Sequence, residues 1–119
     1  MQEVENYREE YPNLAYVVEL AGTSDFDFER KFVAILKQEF SWDLGKYLYH
    51  IKQEEPRAAA EIVHKLKYKI GVLGMTQAYE FAEQHKEKLH VGDMSLDGDF
   101  KKTLKKIDSF LKMQHLDQY

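Results

Sequence analysis

The chain contains no cysteine, which excludes a disulfide framework and any thiolate metal centre and leads us to expect a reducing compartment, by default the cytoplasm. Only two prolines and six glycines punctuate it, and nowhere do apolar and polar residues alternate at the period of a half-buried strand. It therefore reads as helices joined by short turns. No stretch approaches the ~20 apolar residues of a membrane span. The opening "MQEVENYREEYP" is acidic and lacks the basic start and apolar run of a signal peptide, so neither secretion nor membrane anchoring is expected. An excess of positive charge is missing too. The net charge of -4 argues against nucleic-acid binding, which needs a basic face to neutralise phosphates, and favours a protein partner. The lysines of "DFKKTLKKIDSFLK" read as the solvated side of a helix.

What is present suits a single soluble domain: 119 residues, 44% of them hydrophobic and 32% charged, enough to bury a core without metal or disulfide support. Residues 1–12 read as an N-terminal extension and 13–119 as the helical domain. A short helix follows Pro12, with Asn13 placed to cap "LAYVVELA" and Gly22 to end it. A second begins at the hydroxyl caps Thr23 and Ser24, with Asp27 three residues further on as in a capping box. Its apolar stripe takes in Phe28, Phe32, Ile35, Leu36, Phe40, Leu44, Tyr47, Leu48 and Ile51. Pro56 opens a third helix and Gly74 closes it; a fourth spans about Thr76 to Leu89, and a fifth about Asp97 to Met113 with Phe100, Leu104, Ile107 and Leu111 inward. The expected fold is all-α: an antiparallel four-helix bundle with a short additional N-terminal helix.

The third helix holds the residue of most chemical interest. Its inward stripe should be Ala59, Ile62, Leu66, Ile70 and Leu73. At ~100° per residue, His64 lies roughly 200° round from Ile62, so its imidazole should point away from the core. Ala60 sits one turn before it, Lys67 and Tyr68 one turn after, and Gly71 two turns after. Small residues at 60 and 71 would leave room for another protein, and Lys67 would set an ammonium group near anything attached to the ring. Such a cation disfavours imidazolium and stabilises an acquired phosphoryl group. Spacing alone leaves an ordinary surface histidine as the plainer account.

The segment "HKLKYKIGVLGM" resembles the signature of histidine-containing phosphotransfer domains, with His64, Leu66, Lys67, Leu73 and Gly74 at matching positions. The likeness extends more loosely from about Asn13 to Lys112, through "LAYVVELAGTSDFDFERKFVAILKQEF" and "AAAEIVHKLK". It departs where the family usually has glycine followed by small residues: Tyr68, Lys69 and Ile70 stand there. Three roles for Tyr68 stay open, namely crowding a partner, selecting one, or bonding the phosphoryl group. The family also orients its imidazole with a glutamine from the next helix, for which Gln84 is a candidate and Lys86 stands at a similar depth.

The resemblance implies a phosphocarrier. Neutral His64 would accept a phosphoryl group from a receiver-domain aspartate and pass it to another receiver, in a response regulator or hybrid histidine kinase. The receiver would bring the metal ion, so the chain would need no cofactor of its own and would be no self-sufficient enzyme. Docking should use apolar groups near His64 such as Tyr16, Val17 and Phe26. The alternative is an adaptor that binds receivers but transfers poorly because Tyr68 obstructs the ring. Of the other histidines, His85 and His90 are five apart with a helix end between them and His50 and His115 have no companion at metal-ligand spacing, so all four read as surface residues, and the paired carboxylates Asp97 and Asp99 read as helix-start residues.

Overall fold

A computed structural model describes residues 10–22 and 26–114. They form five helices: α1 (Ala15–Ala21), α2 (Phe26–Lys52), α3 (Pro56–Val72), α4 (Thr76–His90) and α5 (Asp97–Lys112), with no strand among the described residues. None of these helices is long and apolar enough to cross a membrane.

Local chemistry sets most boundaries. The Asn13 side-chain oxygen accepts the Ala15 amide at 3.0 Å, and Gly22 ends α1 with φ 77°, a conformation that glycine adopts without steric cost. Thr23 and Ser24, the expected caps of α2, lie outside the described residues. Asp27 and Glu29 in the first turn of α2, and His50 and Lys52 in its last, complement the helix dipole. Proline opens α3, where its missing N–H costs nothing.

Gly74 makes the tight turn into α4 with φ 79°, and a Cβ there would lie 2.6 Å from Asn13 Nδ2. That close approach docks the start of α1 on the end of α3, where the Asn13 amide donates to Leu73 O at 2.8 Å. The start of α4 is capped from a distance. The Glu10 carboxylate accepts the Gln77 and Ala78 amides at 3.0 and 2.9 Å, satisfying free helix-end donors and facing the positive end of the dipole. Lys106 of α5 donates to Glu10 O at 2.7 Å and lies over the Tyr11 ring, and Pro12 is buried. Packed chain thus includes Glu10 to Pro12, inside the segment expected to be an extension.

The core runs between α2, α3, α4 and α5. The inward residues expected on α3, Ala59, Ile62, Leu66, Ile70 and Leu73, are buried, as are Phe100, Leu104, Ile107 and Leu111 of α5. The stripe expected on α2 needs correction: Phe28, Ile35 and Leu48 are exposed, and the buried residues are Val33, Leu36, Phe40, Asp43 and Tyr47. The reason is that α2 is apolar on two faces. Phe28, Ile35, Trp42 and Tyr49 recur every seventh residue along its outer side, all of them exposed, and periodicity cannot say which of two apolar faces meets the core.

Candidate functional site

The outer face of α3 carries His64, Lys65 and Tyr68 in solvent, while Lys67 points sideways toward α4. The imidazole of His64 is exposed as its helical position predicts. Tyr68, one turn on and 53% exposed, stands its ring edge-on to it, with centroids 5.2 Å apart and planes at 88°. The phenol therefore flanks the imidazole and leaves its outer side open.

Lys67 is almost covered, its side chain only 9% exposed, and its ammonium group donates to Glu83 Oε1 of α4 at 2.7 Å. The rings of Tyr68 and Tyr79 lie 5.0 and 5.4 Å from the same nitrogen, close enough for cation–π attraction. Lys86 reaches the same carboxylate oxygen at 3.0 Å, so two ammonium groups share one carboxylate. Those bonds, Lys67 first and Lys86 second, hold the Glu83 carboxyl down at about 2, and the Glu83 bond pushes Lys67 up.

Other expected site residues fall elsewhere. Ala60 is fully buried and faces no partner: only about 40° of helix rotation separates it from His64, but the packed side of α3 extends over Ala60, Val63 and Lys67. Gly71 is half-covered because Tyr79 packs over it, 3.1 Å from where a Cβ would be; its smallness serves the contact between α3 and α4. Gln84 is exposed and makes no hydrogen bond to His64 among the described residues. Of the three docking residues, Tyr16 and Phe26 are exposed and Val17 is fully buried. An open groove between α2 and α3, lined by Glu39, Trp42, Asp43, Lys46, Lys65 and Lys69, runs beside this face. Lys69 bridges it to Asp43 at 2.9 Å.

A second polar cluster was not anticipated. His85, read from the sequence as a surface residue, is fully buried; it completes the inward stripe Ala78, Ala82, His85, Leu89 at spacings of four, three and four, a signal that was present in the sequence. Its Nε2 lies 2.8 Å from Tyr47 Oη, and that hydroxyl donates to Asp97 Oδ1 at 2.5 Å. Since the phenol has one proton and gives it to the carboxylate, Nε2 must carry the hydrogen that bonds Tyr47. Nδ1 is then the acceptor, and it is buried without a partner. Burial holds the imidazole near a pKa of about 4 and, with the Asp97 bond, raises the Tyr47 phenol. Phe100 closes the cluster, 4.9 Å from His85 and 5.3 Å from Tyr47.

Among the described residues no group of His, Cys, Asp and Glu could hold a metal ion. No protein-family model, no curated protein and no solved structure matches the chain.

Proposed function

We propose that this protein is a histidine-containing phosphotransfer carrier, with His64 as the phosphoacceptor, built as an antiparallel bundle of α2 to α5 with α1 packed at one end. The observation that carries the reading is the outward imidazole of His64 on α3 with the Lys67 ammonium group one turn along the same helix. The likeness of "HKLKYKIGVLGM" to the family's signature supplies the chemistry.

In that chemistry a lone pair of the neutral imidazole attacks phosphorus in a receiver's aspartyl phosphate. The N–P bond forms as the P–O bond breaks, and the aspartate leaves as a carboxylate. The reverse reaction on a second receiver empties the carrier. Positioning and charge balance do most of the work in such transfers. The exposed Trp42, which lines the groove beside Lys65, offers a receiver an apolar surface next to the histidine.

A second reading is favoured by the Tyr68 ring beside His64: an adaptor that binds receivers and transfers slowly. One experiment separates the two. The protein is mixed with a phosphorylated receiver domain, and a label is sought that is lost in acid, survives base and is absent from His64→Gln. A carrier meets all three conditions, and Tyr68→Gly then labels at a similar rate. An adaptor binds the receiver without accepting label, and Tyr68→Gly restores it. A protein that neither binds nor labels refutes both.

A further inference from the structure

Resting on the reading of His64 as phosphoacceptor, we infer that Glu83 is a positioning residue: it holds Lys67 in the unphosphorylated carrier and competes with the phosphoryl group for it, with Lys86 retaining the carboxylate when Lys67 leaves.

Lys67 is the cation one helical turn beyond His64, yet its ammonium is engaged at 2.7 Å by Glu83. The stem is covered and two phenol rings flank the nitrogen, so its freedom is confined to a swing between the carboxylate and the Tyr68 side, where His64 stands. A phosphoryl group brings up to two negative charges and three acceptor oxygens, a stronger claim on an ammonium than one carboxylate oxygen. Glu83 would not be stranded by the exchange, because Lys86 already holds the same oxygen at 3.0 Å. The carboxyl is ionised throughout the physiological range, which makes it a constant competitor. A carrier needs this opposition. A cation free to clamp the phosphoryl group would make loading easy and unloading hard, whereas a shared cation keeps the two directions nearer balance.

The test uses phosphoramidate as donor at a fixed ammonia concentration, so that a ring nitrogen of His64 displaces ammonia from phosphorus and the phosphorylated fraction reports the relative stability of phosphohistidine. Wild type, Glu83→Gln, Lys67→Met and the double variant are compared. Removing the competing carboxylate should move the equilibrium about tenfold toward phosphohistidine, because Lys67 then gives its charge-assisted hydrogen bond to the phosphoryl group without breaking one to Glu83. In the Lys67→Met background the same substitution should change it less than about twofold, since the effect runs through Lys67. In wild type, the ammonium resonance of Lys67 should shift on phosphorylation.

An unchanged equilibrium in Glu83→Gln, an equal effect in both backgrounds, or a Lys67 resonance indifferent to phosphorylation overturns the inference while His64 still labels. Absence of acid-labile phosphate on His64 in wild type removes the carrier reading itself, and the inference with it.

Discussion

Acidification from pH 7.5 to 5.0 should weaken this fold through His85 alone, and the loss can be worked from its surroundings. The ring is fully buried between Tyr47 and Phe100, and its Nε2–H is committed to the Tyr47 hydroxyl. Burial lowers its pKa from 6.5 to about 4, with Asp97 and Asp93 offsetting part of the effect. In the unfolded chain the imidazole protonates near 6.5; in the fold it does not until about 4. Between those values the unfolded state binds more protons, so stability rises with pH across the window and falls as pH drops through it. At about 1.4 kcal/mol per pH unit, the gap is worth about 3 kcal/mol in all, of which about 2 kcal/mol disappears between pH 7.5 and 5.0. The loss is complete once pH falls below the folded value. That range lies above the ordinary carboxylate titrations, so Glu83 and Asp93, whose lowered values add stability that is lost only in stronger acid, do not intrude. Urea unfolding followed by circular dichroism at half-unit steps measures the slope. A His85→Gln variant should be less stable at neutral pH and nearly flat across the window, and nitrogen NMR should find the Nε2–H tautomer at pH 7.5. Wild-type stability constant to within about 0.5 kcal/mol, or an undiminished slope in His85→Gln, would refute the reasoning.

Two smaller perturbations test how the chain is tied together. Gly74→Ala places a Cβ 2.6 Å from Asn13 Nδ2 at a φ of 79°, so it should cost about 1–3 kcal/mol; a thermal midpoint within a degree of wild type would show that the turn relaxes freely. Glu10→Ala removes the carboxylate that caps the Gln77 and Ala78 amides and should cost about 1 kcal/mol. Hydrogen exchange at those two amides should quicken in the same variant, and unchanged protection would mean that another group takes over the cap.

The helices were legible because each stripe or boundary had a local cause: a proline at 56, left-handed glycines at 22 and 74, and inward spacings on α3 and α5. The exposure of His64 followed from the same arithmetic. The α2 stripe was misread because the helix offers two apolar faces, and only tertiary packing chooses between them. Pairings between distant residues left no trace in local pattern. Nothing near Lys67 announces that Glu83, sixteen residues away, will take its charge, and nothing near Thr76 announces a cap from Glu10. His85 was legible and missed: it continues the stripe of Ala82 and Leu89, but a histidine without a metal-ligand companion reads as a surface residue. A hydroxyl from Tyr47 makes such burial affordable, and that partner is 38 residues away.

The two polar clusters meet in α4. Glu83 and His85 are two positions apart, so on a helix they project about 200° from each other: Glu83 toward Lys67 of α3, His85 toward Tyr47 of α2 and Asp97 of α5. Apolar contacts alone tolerate small rotations and slides, because one methyl serves nearly as well as another against the same wall. The bonds from His85 through Tyr47 to Asp97 are directional, and breaking them inside the core leaves polar groups unsatisfied at about 1–3 kcal/mol each. They therefore fix the rotation of α4 about its own axis. That rotation sets where Glu83 meets Lys67. A buried network on the inner side of α4 thereby holds in place the carboxylate that pairs with Lys67 and Lys86 on its other side.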